Sequence, residues 1–227
     1  MGSRVQVKRA ARNDLHIDRL PAATRHAFLE SVRDRLFATA GWYLAGGTAL
    51  ALQVGHRESE DLVFFTPRKS FQEPQFEKKL MLAGKWRTDF LAEGTLYGRY
   101  QDAKMSFIAY PFFHPSSFLQ CGSVRMVAPR DIAAMKIEAI SQRGRKRDFV
   151  DLYWYGTNVE PIENAILRSF NQYVGENRNL THIIKSLTYF ADAEKDPMPK
   201  LFFEADWQTI KGYFLREVPR MARKLLF

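Results

Sequence analysis

Tyr43-Leu-Ala-Gly-Gly-Thr-Ala-Leu-Ala-Leu-Gln-Val-Gly-His-Arg-Glu-Ser-Glu-Asp-Leu-Val-Phe-Phe65 is the stretch whose reading decides the fold. The apolar run 42–45 reads as a buried strand that stops abruptly at Gly46-Gly47-Thr48, and 49–54 reads as a short helix. Residues 62–65 are β-rich and are stopped by Pro67, giving a second strand. The glycines permit a tight turn and let backbone N–H groups come close to a ligand. Thr48 is suited to capping the following helix, whose N-terminus would present unpaired N–H groups and a positive dipole, a setting for a triphosphate. Alone, this pattern is also that of an ordinary strand-to-helix turn. The segment after the helix adds a second signal. Arg57, Ser59 and Asp61 alternate, so in extended backbone they share a face, and a cation, a hydroxyl and a carboxylate together suit phosphate plus metal. A solvated strand edge would show the same alternation.

A second constellation lies at 129–155: Pro-Arg-Asp-Ile-Ala-Ala-Met-Lys-Ile-Glu-Ala-Ile-Ser-Gln-Arg-Gly-Arg-Lys-Arg-Asp-Phe-Val-Asp-Leu-Tyr-Trp-Tyr. Lys136 stands on a helix otherwise rich in apolar residues, either reaching a phosphate or snorkelling at the edge of a core stripe. Asp148 and Asp151 are three apart on one helical face. Asp148 reads as a general base, as a partner of Lys136, or as a helix N-terminal acid favoured by the dipole. Arg143, Arg145, Lys146 and Arg147 form the densest cation run of the chain, fit to meet nucleic-acid phosphates or to lie in solvent.

Gly-Gly-Thr, a helix, then His-Arg-x-Ser-x-Asp-Leu-x-Phe-Phe resembles the nucleotidyltransferase signature of the AbiEii/AbiGii toxin family, within the DNA-polymerase-beta-like superfamily. The block with Lys136 and Arg-Asp-x-x-Asp-Leu-Tyr resembles that family's second block. The resemblance covers about residues 25–210 and is strongest in the two blocks. It implies an α+β fold, with a polymerase-beta-like mixed sheet and flanking helices followed by a C-terminal helical domain. It also implies transfer of a nucleoside monophosphate from a nucleoside triphosphate to an acceptor, with the 3′ ends of transfer RNA as the acceptor the resemblance points to. Gly46, Gly47 and Thr48 would hold the triphosphate with support from Arg57 and Ser59. Asp61 would ligate Mg²⁺, as one ion or two, Lys136 would stabilise charge, and Asp148 would act as base. An antitoxin protein and a toxin–antitoxin or phage-defence setting are implied as well.

The chain departs from the pattern at one position. The superfamily's acidic strand is Asp-x-Asp, and the second acid falls on Val63. Glu60 points to the opposite face of a regular strand and does not substitute. The later run 104–108, where many members carry a third acid, has none, although Asp102 lies just before it. Bridging two ions requires several oxygen ligands, so Val63 weakens the metal site. A degenerate nucleotide- or RNA-binding member therefore stands beside the enzyme as an alternative.

Working outward, 22–39 reads as a helix ended by Gly41, and 70–83 as a helix despite Pro74. Runs 86–92, 95–100, 104–110 and 123–127 read as strands. From Pro129 onward nearly everything is helical: 129–141, 145–155, 160–173, 179–191 and 206–226, broken at Gly175 and at Pro197/Pro199. The expected division is a nucleotidyltransferase-like domain at 1–128, opening with a basic flexible arm at 1–12, and a helical domain at 129–227.

Composition is consistent with this. The chain has 227 residues, 46% of them hydrophobic, enough to build its own cores. A net charge of +9 favours polyanionic partners, nucleotides and nucleic acid among them. The single cysteine, Cys121, excludes an internal disulfide and agrees with a cytoplasmic setting. The first residues lack the apolar stretch of a signal peptide, and no run approaches the length of a membrane span. The five histidines are too scattered to suggest a zinc site.

Overall fold

The structure, a computed structural model, describes residues 5–38, 41–174 and 178–226. The chain divides into two compact units, Met1–Ala128 and Pro129–Phe227.

The first unit runs β1 (Gln6–Arg9), α1 (Ala22–Arg33), β2 (Tyr43–Ala45), α2 (Gly46–Val54), β3 (Leu62–Thr66), α3 (Glu73–Leu82), β4 (Trp86–Ala92), β5 (Thr95–Tyr100), β6 (Ala103–Ala109), β7 (Ser117–Cys121) and β8 (Val124–Val127). Among the described residues the strands form one eight-stranded mixed sheet in the order β1-β7-β8-β2-β3-β6-β5-β4. β3 pairs antiparallel with β2 and parallel with β6, so the central strands carry both kinds of ladder.

One face of the β3–β6–β5–β4 half packs an aromatic core. Phe64 and Phe107 stack across the ladder at 5.5 Å, Phe76 of α3 sits 4.7 Å from Phe107, and Trp42 lies 5.3 Å from Phe76. Large rings bury the most apolar surface per residue, and offset or edge contacts add to it. Strand alternation, with Leu62, Phe64 and Thr66 buried and Val63 and Phe65 less so, leaves the second face to other work.

Some expectations are corrected here. Gln6–Arg9 is not a loose arm: it pairs in parallel with Ser117–Gln120 as an edge strand. All four of its residues are exposed, so the backbone ladder holds it, and no apolar alternation announces it. Residues 1–4 of that arm lie outside the described residues. β7, its partner, was not expected as a strand either. The helix over 22–39 stops at Arg33, because Asp34 turns extended and its Oδ1 accepts the Leu36 N–H at 2.8 Å, opening a short 3-10 turn.

The second unit is helical: α4 (Pro129–Arg143), α5 (Lys146–Asn158), α6 (Ile162–Gln172), α7 (Leu180–Ser186), α8 (Ala191–Glu194) and α9 (Trp207–Leu226). Its core gathers Ile137, Ile140, Phe149, Leu152, Tyr155, Ile166 and Phe214. The helix expected over 179–191 is two pieces. The Ser186 and Thr188 hydroxyls donate to the Ile183 and Lys185 carbonyls at 2.7 and 3.1 Å, the local competition that ends helices. The break foreseen at Gly175 lies outside the described residues. No helix among the described residues is long and apolar enough to cross a membrane.

Candidate active site

β2 delivers the chain to Gly46, where α2 begins. Gly46 has φ +72°, a left-handed conformation that L side chains resist, and a Cβ there would meet nothing within 4 Å. Gly47 is required for a different reason. A Cβ on it would stand 2.0 Å from Arg57 Nη2 and 3.1 Å from Arg57 Cζ. The guanidinium therefore lies directly against the turn. Arg57 is buried, and its Nη1 donates to the Glu58 carbonyl at 2.8 Å.

Thr48 does not cap α2. The N-cap is Ala45, without a side-chain cap, and Thr48 is the third helical residue. Its hydroxyl donates to the Asp61 carbonyl at 2.5 Å and, its one hydrogen thus used, accepts from the Ser59 hydroxyl at 2.8 Å. The side chain that could have satisfied the first-turn amides instead fastens the acidic segment to the turn. Within the helix, the N–H groups of Gly46, Gly47 and Thr48 have no carbonyl to bond. From the other side, the Thr24 hydroxyl donates to the Glu60 carbonyl at 2.7 Å and the Ser59 N–H to the Arg19 carbonyl at 3.4 Å. The structure thus brings Gly46, Gly47, Thr48, Arg57, Ser59 and Asp61 together at one turn, with Asp61 held there by its main-chain carbonyl thirteen positions after Thr48.

The fit of Mg²⁺ can be tested on the ladder. Val63 stands opposite Ala45 on β2 and opposite Ser106 on β6. No carboxylate lies on that row, and among the described residues no group of three or more His, Cys, Asp or Glu side chains could hold a metal. A centre that bridges two ions does not fit this donor set.

In the second unit, Lys136 Nζ lies 2.6 Å from Asp148 Oδ1 and 2.7 Å from Asp151 Oδ2, with side-chain exposures of 8, 7 and 0%. Of the readings open for Asp148, pairing with Lys136 is realised. An ammonium has three donors, and two are directed at these carboxylates. Asp151 is a full member of the cluster. Its signal was the three-residue spacing from Asp148, which puts both on one face of α5.

The cation run behaves less uniformly. Arg145 pairs with Asp196 at 2.6 Å. Lys146 is buried, donates to the Asp196 carbonyl at 2.6 Å, and stands 5.1 Å over the Trp207 ring. Arg143 and Arg147 are exposed, and Arg143 lines a surface cleft with His182, Lys185 and Tyr189. The Asp196 anchor is fifty residues away in sequence and no local pattern reveals it.

A mixed sheet whose strand runs through a glycine turn into a helix, with an acidic segment clasped to that turn, is the frame of a nucleotidyltransferase. The fold is shared with JHP933 from Helicobacter pylori, at a TM-score of 0.52 and 16% identity over 88% of this chain and 91% of that one. It is shared too with MenT4, a nucleotidyltransferase toxin of Mycobacterium tuberculosis H37Rv, at a TM-score of 0.50 and 15% identity over 90% and 86%.

The chain belongs to the AbiEii family, described as "Nucleotidyl transferase AbiEii toxin, Type IV TA system", whose pattern matches residues 27–97 and 114–225. It is also 32% identical over 185 residues to an uncharacterized protein of Aquifex aeolicus, covering 78% of this chain and 86% of that one.

Proposed function

We propose that this nucleotidyltransferase-family protein transfers a nucleoside monophosphate from a nucleoside triphosphate to the 3′ hydroxyl of an RNA acceptor of the transfer-RNA class. The observation that carries the reading is the Gly46–Gly47 turn with the Arg57 guanidinium laid against it. First-turn amides and a fixed guanidinium form a cradle for the β- and γ-phosphates. In the reaction the hydroxyl oxygen forms a bond to the α-phosphorus, the bond to the bridging oxygen breaks, and pyrophosphate leaves. Arg57 and the amides hold the charge that gathers on that leaving group. Ser59, fastened to Thr48, orients the segment that presents Asp61.

The family motif, rather than placement, gives Lys136 and Asp148 their part. In this reading Lys136 stabilises charge in the transition state, and Asp148 takes the proton of the attacking hydroxyl. One Mg²⁺ arriving with the nucleotide would draw one oxygen from Asp61 and the remainder from phosphates and water, and it would neutralise phosphate charge. Exposed Arg143 and Arg147 are proposed to meet RNA phosphates. A neutralising antitoxin, a role in phage defence and a cytoplasmic location follow from the toxin-family reading.

A second reading, a binding protein that does not turn over, is favoured by Val63 between Ala45 and Ser106. One assay separates the two. The protein is incubated with Mg²⁺, each labelled nucleoside triphosphate and total transfer RNA. Label in RNA that is lost on Asp61→Ala supports transfer. Nucleotide binding without incorporation, gained only on Val63→Asp, supports the silent member.

A further inference from the structure

The second face of the β3–β6–β5–β4 ladder carries two adjacent rows of side chains that run toward the glycine turn. The first row is Phe90, Tyr97, Ser106, Val63 and Ala45, each opposite the next across successive strands, and Gly46 follows directly. The second is Arg87, Arg99 and Lys104, opposite one another on β4, β5 and β6. Carried one residue back, the β3–β6 register sets position 104 opposite position 61. A bulge between Thr88 and Phe90 produces this pattern: it absorbs Asp89 as an extra residue, so that Arg87 and Phe90, three apart, both meet this face.

Phe90 and Tyr97 are 52 and 39% exposed, with ring centroids 5.8 Å apart. Two large rings left in solvent beside each other are unusual on a sheet whose other face buries its aromatics so fully. The Arg87 side chain is 73% exposed and that of Arg99 36%, and Lys104 is exposed. Asp89 lies 3.8 Å from Arg87 Nε and 3.9 Å from Arg99 Nε, and Arg99 Nη1 donates to the Asp102 carbonyl at 3.3 Å, long contacts that leave further N–H groups of both guanidiniums for another partner.

We infer that this face holds the single-stranded 3′ end of the RNA acceptor. Its phosphates lie along Arg87, Arg99 and Lys104, and its bases stack on Tyr97 and Phe90. Parallel tracks of cations and aromatic rings are what sequence-tolerant single-strand binding uses: charge follows the backbone, and every base offers a π-face. Duplex cannot use the aromatic row, because its bases are already stacked. Strands are roughly 4.8 Å apart, so Tyr97 stands about 10 Å from Val63. That separation lets the terminal nucleotide reach the turn while the ones before it lie on the rings. The inference rests on the nucleotidyl-transfer reading for the identity of the acceptor, but the binding face can be tested without turnover.

The test is fluorescence anisotropy of a 5′-labelled twelve-nucleotide RNA, single-stranded or annealed, alongside binding of a fluorescent ATP analogue. Wild type is expected to prefer the single strand. Phe90→Ser with Tyr97→Ser is expected to weaken RNA binding about tenfold or more with nucleotide affinity unchanged, since both side chains are exposed. Arg87→Gln with Lys104→Gln is expected to flatten the salt dependence. RNA affinity within twofold of wild type in the aromatic double variant overturns the inference, as does equal affinity for duplex or tighter binding of the DNA of the same sequence. Loss of nucleotide binding in wild type, with face-dependent RNA binding retained, would remove the transfer reading and leave the face standing.

Discussion

Gly47→Ala isolates the contact on which the phosphate cradle depends. The added methyl carbon would stand 2.0 Å from Arg57 Nη2, where carbon contacts settle near 3.5 Å or beyond. The guanidinium would therefore have to retreat by roughly 1.5 Å. Arg57 is only 3% exposed, so it has little room to move, and retreat strains its bond to the Glu58 carbonyl. Overpacking costs about 1–3 kcal/mol and a weakened charged hydrogen bond about 1–2. Against this, alanine in place of glycine at an unstrained position stabilises by about 0.4–1 kcal/mol. The net expectation is a loss of about 1–4 kcal/mol, read as a lower urea midpoint, together with weakened binding of a nucleotide analogue. Arg57→Ala removes the obstruction, and the next atom, Ser59 Oγ, is an ordinary 3.4 Å away. In that background Gly47→Ala should be neutral or slightly stabilising, a double-mutant coupling of about 2–5 kcal/mol. A Gly47→Ala cost that is the same with and without Arg57 would refute the reasoning.

Lys136→Met strands two buried carboxylates beside each other and should cost about 3–5 kcal/mol in urea titration. Adding Asp148→Asn and Asp151→Asn should recover part of it, since neutral amides need no counter-charge. Glu73 should make stability acid-sensitive. Burial alone would raise its carboxyl pKa, but its own backbone N–H and those of Gly94 and Phe71, with the Ser70 hydroxyl, outweigh burial and hold it below the ordinary range. A lowered folded pKa contributes stability above the ordinary glutamate value of about 4.3 that is lost as pH falls through the folded one. Thermal melts should therefore show Glu73→Gln less stable than wild type at pH 7, with the gap closing below pH 4. Gly46→Ala meets no neighbour and should cost only the left-handed backbone penalty, about 1–2 kcal/mol, with or without Arg57.

Much of the local order was legible in the sequence because its causes are local. The strand-like runs 86–92 and 95–100 give β4 and β5 with the bounds the structure shows. The apolar 42–45 run stopping at two glycines gives β2 and the turn. The pairing of the two blocks points to the nucleotidyltransferase family, and the family match agrees. Other features have no local cause. The edge strand at Gln6–Arg9 is held by backbone bonds to a segment more than a hundred residues on. Thr48 looks like a cap by type, yet its hydroxyl is taken by Ser59 and Asp61, because the chain returns there after α2. Lys146 looks like a free cation until Asp196 comes to meet it.

The sequence by itself determined that a glycine turn, an acidic segment and a lysine–aspartate block exist, and that Val63 stands where a second acid would be. Only the tertiary structure decided what surrounds them. Strand register, a sum of many long-range backbone bonds, set Ser106 and Ala45 rather than carboxylates beside Val63. The same register aligned Phe90 and Tyr97 with the turn. Side-chain periodicity tells which face a residue occupies, but which residue of another strand stands opposite is fixed only when the ladder closes.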